Sequence, residues 1–108
     1  MKTLVIATDF TKTPGPRKAA DGDFSAEEFR SKILKPKFEE ARSKKEKLLV
    51  DLDGGFGYFD SFLEESFGGL AREYGIQPVL ETLEFKSEEE PILLDKITKF
   101  IKMANSGK

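Results

Sequence analysis

The sequence contains no cysteine and no histidine among its 108 residues. Without cysteine the chain cannot form a disulfide, a thiolate zinc site or a cysteine nucleophile. Without histidine it cannot build a Ser-His-Asp triad, a histidine general base or a phosphohistidine relay. An enzyme of this composition would have to use Asp, Glu, Lys, Arg, Ser, Thr or Tyr, and no catalytic constellation of these residues stands out.

The chain also lacks a long apolar run and a strong excess of either charge. No stretch of about 18 apolar residues occurs, so we predict no membrane-spanning helix. The 18 basic and 20 acidic residues give a net charge of −2, which argues against nucleic acid as a partner. The apolar segment near the N-terminus is too short for a signal peptide and is followed by Asp9. We therefore expect a cytosolic protein, and we predict neither a cofactor nor a bound metal.

Hydrophobic residues make up 38% of the chain and charged residues 35%. These fractions and the length predict a single folded domain over residues 1–108 with a polar surface. Ten of the aromatic residues are Phe. Because Phe needs no hydrogen-bond partner, we expect most of them in the core. Residues 105–108 are expected to fray.

Three short apolar segments alternate with helical patterns. We predict strands over residues 3–8, 47–53 and 78–85. A long loop with two prolines and two glycines, residues 9–23, follows the first strand. The order β-α-β-α-β-α favours an α/β domain whose small sheet is covered by helices, with right-handed crossovers.

Serines mark the predicted start of each helix. A glutamate follows each serine three residues later, which is the spacing of a capping box: Ser25 with Glu28, Ser61 with Glu64 and Ser87 with Glu90. Pro36 predicts a kink or break in the first helix, and Gly75 predicts the end of the second. Gly68 and Gly69 lie inside that second helix, where each costs about 1 kcal/mol. They indicate either close internal packing, which we favour, or the docking of a partner.

Several segments together resemble a bacterial family described as STAS-like and of unassigned function. They are "DFTKTPGPR", "GDFSAEEFRSKILKP", "VDLDGGFGY" and "GYFDSFLEESFGGL". The likeness extends from about residue 3 to residue 102 and implies a fold related to the STAS anti-sigma-factor antagonists. In those antagonists a kinase phosphorylates the serine of an Asp-Ser pair at the start of a helix, and the modification controls partner binding. The resemblance places Asp60 and Ser61 at the corresponding junction. Glu64 and Glu65 follow here, where they favour the helix dipole but would repel a phosphate.

The candidate site residues fall into three groups. The first is a candidate partner surface around the predicted phosphoacceptor Ser61: Phe56, Tyr58, Asp60, Ser61 and Phe62. The second is a candidate anion-binding loop: Lys12, Arg17 and Lys18. The third is a set of carboxylates at a strand end that could hold Mg²⁺ beside a phosphate: Asp51, Asp53 and Asp60. For each group there is a simpler interpretation: a helix N-cap at Ser61, a solvated loop and solvated turn acids.

The function that we favour is a small cytosolic regulatory module that binds a protein partner through residues 54–62. Phosphorylation at Ser61 by an unknown kinase would switch this binding. The alternative is a metal-dependent phosphoryl-transfer enzyme or nucleotide-binding domain that uses the three aspartates. A third interpretation is a structural subunit that dimerises through an exposed sheet edge. The sequence leaves the oligomeric state open.

Overall fold

Three short parallel strands form one sheet in the order β1-β2-β3. A computed structural model describes residues 2–104. The strands are β1 (Lys2–Val5), β2 (Leu48–Asp51) and β3 (Leu83–Lys86). Leu4 lies opposite Val50, and Val50 lies opposite Phe85. The predicted α/β architecture is confirmed, while the expected fraying of residues 105–108 lies outside the described residues.

Helices connect the strands and cover the sheet. The α-helical segments are α1 (Ile6–Asp9), α2 (Ala26–Phe29), α3 (Lys35–Ser43), α4 (Asp60–Leu63), α5 (Gly69–Tyr74), α6 (Ile76–Thr82) and α7 (Ile92–Lys102). Two π-helical turns, π1 (Arg30–Leu34) and π2 (Glu64–Gly68), join α2 to α3 and α4 to α5. A short 3₁₀ turn covers Ala19–Asp21. None of the helices within residues 2–104 is long and apolar enough to cross a lipid bilayer.

The first long helical run, residues 26–43, begins where the sequence predicts. The Ser25 hydroxyl accepts a hydrogen bond from the Glu28 backbone N–H at 3.0 Å, which confirms Ser25 as the N-cap. The predicted break at Pro36 does not occur: the run contains the π turn π1, which ends two residues before the proline, and continues directly as α3. Pro36 has no N–H to donate to the Lys32 carbonyl, so the regular α pattern cannot continue through this turn.

The second long helical run, residues 60–74, ends at Gly75 as predicted. Gly75 has a φ of +97°, a left-handed value that favours glycine. Earlier in the run, a Cβ on Gly68 would lie 3.3 Å from the Phe100 carbonyl oxygen of α7, and a Cβ on Gly69 would overlap the Arg30 guanidinium. Close internal packing therefore accounts for both glycines.

The predicted third strand is wrong in its first half. Residues 76–82 form α6, and β3 begins only at Leu83. Pro78 is the third residue of α6, a first-turn position where a missing N–H removes no helical hydrogen bond. Val79 packs in the core while its neighbour Leu80 is half-buried. A short apolar run of this kind does not distinguish a strand from a buried helix.

Two other predicted boundaries are wrong. β1 ends at Val5, because residues 6–9 coil into α1, where the Asp9 carboxylate accepts the Val5 N–H at 2.8 Å. Ser87 is not a helix cap. Its hydroxyl donates to the Glu90 carbonyl at 2.6 Å, and α7 begins only at Ile92. The serine thus stabilises the turn before the helix rather than the helix itself.

The core lies between the sheet and the helices and is rich in phenylalanine. Four Phe side chains are fully buried: Phe29, Phe38, Phe62 and Phe67. Phe29 contacts Phe62 and Phe67 with ring centroids 5.6 and 6.3 Å apart, within the range in which aromatic pairs attract. The expectation of a Phe core holds for these side chains, but Phe56 and Phe59 are exposed.

Candidate functional site

A turn at the carboxyl edge of the sheet carries three of the predicted site residues, Asp53, Phe56 and Tyr58. It follows β2 and extends from Leu52 to Phe59. Gly54 and Gly57 have φ values of +92° and +119°, which allow the chain to reverse. The Tyr58 hydroxyl donates to the Leu52 carbonyl at 2.9 Å and ties the end of the turn to its start. Burial raises the pKa of Tyr58, so the hydroxyl keeps its proton and this bond at neutral pH.

Asp53 joins this turn to the loop that follows β3. Its carboxylate accepts the backbone N–H groups of Glu89 at 2.9 Å and Glu88 at 3.1 Å. In return, the Glu89 carboxylate accepts the Gly54 N–H at 2.9 Å. The hydrogen bonds from Glu89 and Glu88 lower the pKa of Asp53, so this carboxylate stays ionised. The two loops are therefore held together in part by Asp53, which the sequence predicts as a metal ligand or a solvated turn acid.

The long loop after α1 holds the turn from its other side. The Phe56 N–H donates to the Lys12 carbonyl at 2.9 Å. A Cβ on Gly55 would lie only 3.2 Å from the same oxygen, so the close approach favours glycine at this position. Three loops that are distant in sequence thus meet at one edge, because the parallel strands all point their carboxyl ends there.

The turn presents two phenylalanine rings to solvent. Phe56 is 83% exposed and Phe59 is 65% exposed. Tyr58 lies half-buried between them, with its ring centroid 6.1 Å from that of Phe62. Phe62 itself is fully buried, so its inclusion in the candidate partner surface is wrong. It is the third residue of α4 and points into the core, as expected of a residue one turn before Ser66 and Phe67 on the buried side.

Phe59 is the surface residue that the sequence reasoning missed. It precedes α4 and has extended backbone angles, φ −74° and ψ 146°. Its side chain therefore leaves the face of the helix, although it stands four residues before the buried Leu63. Acidic residues are favoured in the first turn of a helix, so Asp60 indicates that the helix begins there and that Phe59 lies before it. This signal could have identified Phe59 as a surface residue.

Two adjoining grooves flank the exposed rings. One has a volume of about 290 Å³ and lies between the turn and the loop after β3, where Asp53, Glu89 and Glu90 line it. The other has a volume of about 440 Å³ and lies between the turn and the long loop, where Pro14 and Phe59 line it. The two grooves share four lining residues: Phe56, Gly57, Tyr58 and Glu90.

Ser61 occupies the second position of α4 rather than its N-cap. The N-cap is Phe59, which makes no side-chain capping bond, so the interpretation of Ser61 as a capping residue is wrong. Glu64 completes no capping box. Its carboxylate binds Arg17 and Arg72. The Ser61 side chain is half-buried and makes no side-chain hydrogen bond within residues 2–104.

The other predicted residues have their own partners or remain exposed. Arg17 is not available to bind an anion, because its guanidinium already pairs with Glu64 and, at 3.2 Å, with Glu65. The other two members of that loop, Lys12 and Lys18, have exposed side chains. Bonding to Glu64 and Glu65, against the effect of partial burial, raises the pKa of Arg17 and keeps it charged.

The three aspartates of the alternative function are engaged separately. Asp51 accepts the Asp53 N–H at 2.9 Å and lies 3.9 Å from the Lys86 ammonium. Asp60 pairs with Lys96 at 3.1 Å on the surface. Over the described part of the chain, no group of three or more carboxylates is arranged to hold a metal ion.

A parallel three-stranded sheet with helical connections and a loop cluster at its carboxyl edge defines the class as a small α/β domain. The family model described as "STAS-like domain of unknown function (DUF4325)" matches residues 25–93, which is more than half of the chain. The chain belongs to that family. Comparisons with curated proteins and with solved structures gave no significant match.

Proposed function

We propose that this protein is a bacterial cytoplasmic regulatory module that binds a protein partner through residues 54–61, in the turn after β2 and the start of α4. The observation that carries the proposal is the exposure of Phe56 and Phe59, 83% and 65%, on one turn. Burying a Phe side chain against a partner contributes about 1.5–3 kcal/mol. Aromatic side chains are also enriched among the residues that dominate binding energy.

The anchoring of the turn supports this assignment. Tyr58, Asp53 and the Lys12 carbonyl each fix a different part of the turn by hydrogen bonds of 2.9–3.1 Å. A rigid turn loses little conformational entropy when a partner binds, so more of the contact energy appears as affinity. A partner therefore meets the rings of Phe56 and Phe59 in one fixed arrangement.

The position of Ser61 supports a phosphorylation switch. Ser61 stands two residues after Phe59, and a phosphate there would add nearly two negative charges beside the proposed contact. Glu64 and Glu65 would repel that phosphate, but both carboxylates bind arginines. Arg17 contacts both of them, Arg30 contacts Glu65 and Arg72 contacts Glu64. These guanidinium groups compensate the local negative charge.

The test is affinity capture with matched baits from a lysate of the source cell, followed by mass spectrometry. A specific partner should be retained by the wild type and by Ser61→Ala, and lost with Phe56→Ala/Phe59→Ala. Ser61→Glu should lose it as well. Met103→Ala is the control, because Met103 is 53% exposed but lies just after the far end of α7. Circular dichroism should show that all baits are folded.

Two results would count against the proposal. A set of captured proteins that does not change with the Phe56→Ala/Phe59→Ala bait would remove the turn as the contact. Equal capture by Ser61→Glu and wild type, with no phosphate on the Ser61 peptide from cells, would remove the switch. A rise in the unfolding midpoint with Mg²⁺ and a nucleotide would instead favour the alternative of a metal-dependent or nucleotide-binding domain.

A further inference from the structure

The two grooves beside Phe56 differ in chemistry, and together they describe an occupant. The groove along the long loop is lined mainly by apolar groups, among them Pro14 and Phe59. The groove along the loop after β3 has three carboxylates in its lining and no basic side chain, and one of the three, Glu90, also borders the first groove. Because the grooves share Phe56 and Tyr58, one continuous segment could fill both.

We propose that the grooves bind an extended segment of a protein partner in which a basic side chain, arginine above all, neighbours a bulky apolar side chain. The inference rests on the proposed function and adds the chemistry of the partner. The apolar side chain would lie between Pro14 and Phe59. The basic side chain would lie on the other side of Phe56 and Tyr58, facing Glu89 and Glu90.

Charge complementarity selects a basic side chain for the second groove. One Glu89 oxygen accepts the Gly54 N–H, which leaves its other oxygen available. The Glu90 side chain is exposed and forms no ion pair within the described residues. Asp53 also lines this groove and stays ionised, so the site holds negative charge at neutral pH. A neutral or acidic side chain there would gain nothing from these groups or would be repelled.

Arginine fits this groove better than lysine. Its planar guanidinium can form two parallel hydrogen bonds with a carboxylate and can also stack on an aromatic face. The groove offers both kinds of partner, carboxylates at Glu89 and Glu90 and rings at Phe56 and Tyr58. An extended backbone suits the arrangement because successive side chains of such a segment point in opposite directions.

The test uses a displayed library of random 12-residue peptides selected against the full chain. Wild type should enrich peptides with Arg or Lys within two residues of Leu, Ile, Phe or Trp, and Phe56→Ala/Phe59→Ala should enrich none of them. One enriched peptide and its Arg→citrulline form are then compared by fluorescence anisotropy. Loss of the positive charge should weaken binding by about tenfold or more, the loss expected of a partly buried charged contact.

The matched variants change the charge of the protein equally in two places. Glu89→Gln/Glu90→Gln should weaken binding of the arginine peptide by about tenfold and leave the citrulline peptide unaffected. Glu81→Gln/Glu84→Gln removes the same charge from residues flanking the start of β3, at the opposite edge of the sheet, and should leave both peptides unaffected.

The inference would be overturned if the enriched peptides showed no preference for Arg or Lys. It would also be overturned if wild type enriched no more peptides than Phe56→Ala/Phe59→Ala does. An equal effect of the two glutamine pairs would overturn it as well, since that would reflect only net charge. If the library fails while lysate capture still depends on Phe56 and Phe59, the proposed function stands and the peptide chemistry is wrong. If both experiments fail, the turn is not a binding surface.

Discussion

Ser66 places a hydroxyl in the core where it finds no hydrogen-bond partner among the described residues. It belongs to π2, the wide turn that packs against α7. An unsatisfied buried hydroxyl is destabilising, because it has left its hydrogen bonds with water behind. Two of the chain's other buried serines, Ser25 and Ser87, do have hydrogen-bond partners.

Ser66→Ala should therefore raise the free energy of unfolding by about 1 kcal/mol. The matched control is Ser25→Ala, which removes an equally buried hydroxyl that caps α2 and should lower the free energy of unfolding by about 1 kcal/mol. Urea titrations of the three proteins measure both changes. Losses of similar size in the two variants would show that the Ser66 hydroxyl is satisfied, for example by a buried water.

The two π turns contact each other between the long helical runs. Arg30 of π1 donates to the Glu65 carbonyl of π2 at 2.9 Å and also binds the Glu65 carboxylate. Gly69 allows this approach, because any side chain at that position would meet the guanidinium. A π turn is uncommon and changes the direction in which the following residues point. Here each of the two turns supplies one partner of the ion pair between Arg30 and Glu65.

Gly69→Ala should lower the free energy of unfolding by about 1–2 kcal/mol, since it must displace Arg30 from a partly buried contact. The same substitution in an Arg30→Ala background should instead raise stability by up to about 1 kcal/mol, because alanine favours a helix over glycine. A double-mutant cycle followed by urea unfolding measures the difference. Equal effects in both backgrounds would mean that Arg30 does not explain the glycine.

The whole molecule depends on carboxylates that are ionised in the folded state. Burial alone raises the pKa of Glu64, but hydrogen bonds from Arg72 and Arg17 outweigh it, so the net pKa lies below the ordinary 4.5. The N–H groups of Glu89 and Glu88 likewise lower the pKa of Asp53 below 3.8. When the pH falls below the ordinary pKa of these carboxyl groups, the unfolded chain binds more protons than the folded chain. The free energy of unfolding therefore falls as the pH falls.

Urea midpoints should therefore stay nearly constant from neutral pH to about pH 5 and then decrease as the pH falls below the ordinary carboxyl values. Glu64→Gln should be less stable than wild type at neutral pH and should show a shallower decrease in acid. Glu28→Gln is a suitable control, since Glu28 forms a single surface pair with Lys32 at 3.7 Å. Parallel pH profiles for wild type and Glu64→Gln would contradict the contribution assigned to Glu64.

Local patterns in the sequence predicted the order of elements well. The cap at Ser25 and the helix end at Gly75 are each determined by one residue and its immediate neighbours. The strand predicted over 78–85 failed because apolar residues at this spacing suit a buried helix as well as a strand. The predicted cap at Ser61 is wrong because α4 begins at Asp60, two positions earlier than the capping-box spacing implies.

The sequence by itself determined the α/β class, a core rich in phenylalanine and the presence of a turn rich in glycine and aromatic residues after β2. These follow from hydrophobic spacing, proline and glycine, which act over a few residues. Only the tertiary structure decided that Phe62 is buried while Phe59 is exposed, and that Arg17 binds Glu64 and Glu65. The tertiary structure also determines that Asp53 contacts the loop after β3. Parallel strands gather loops from distant parts of the chain at one edge, and no local pattern records which side chains meet there.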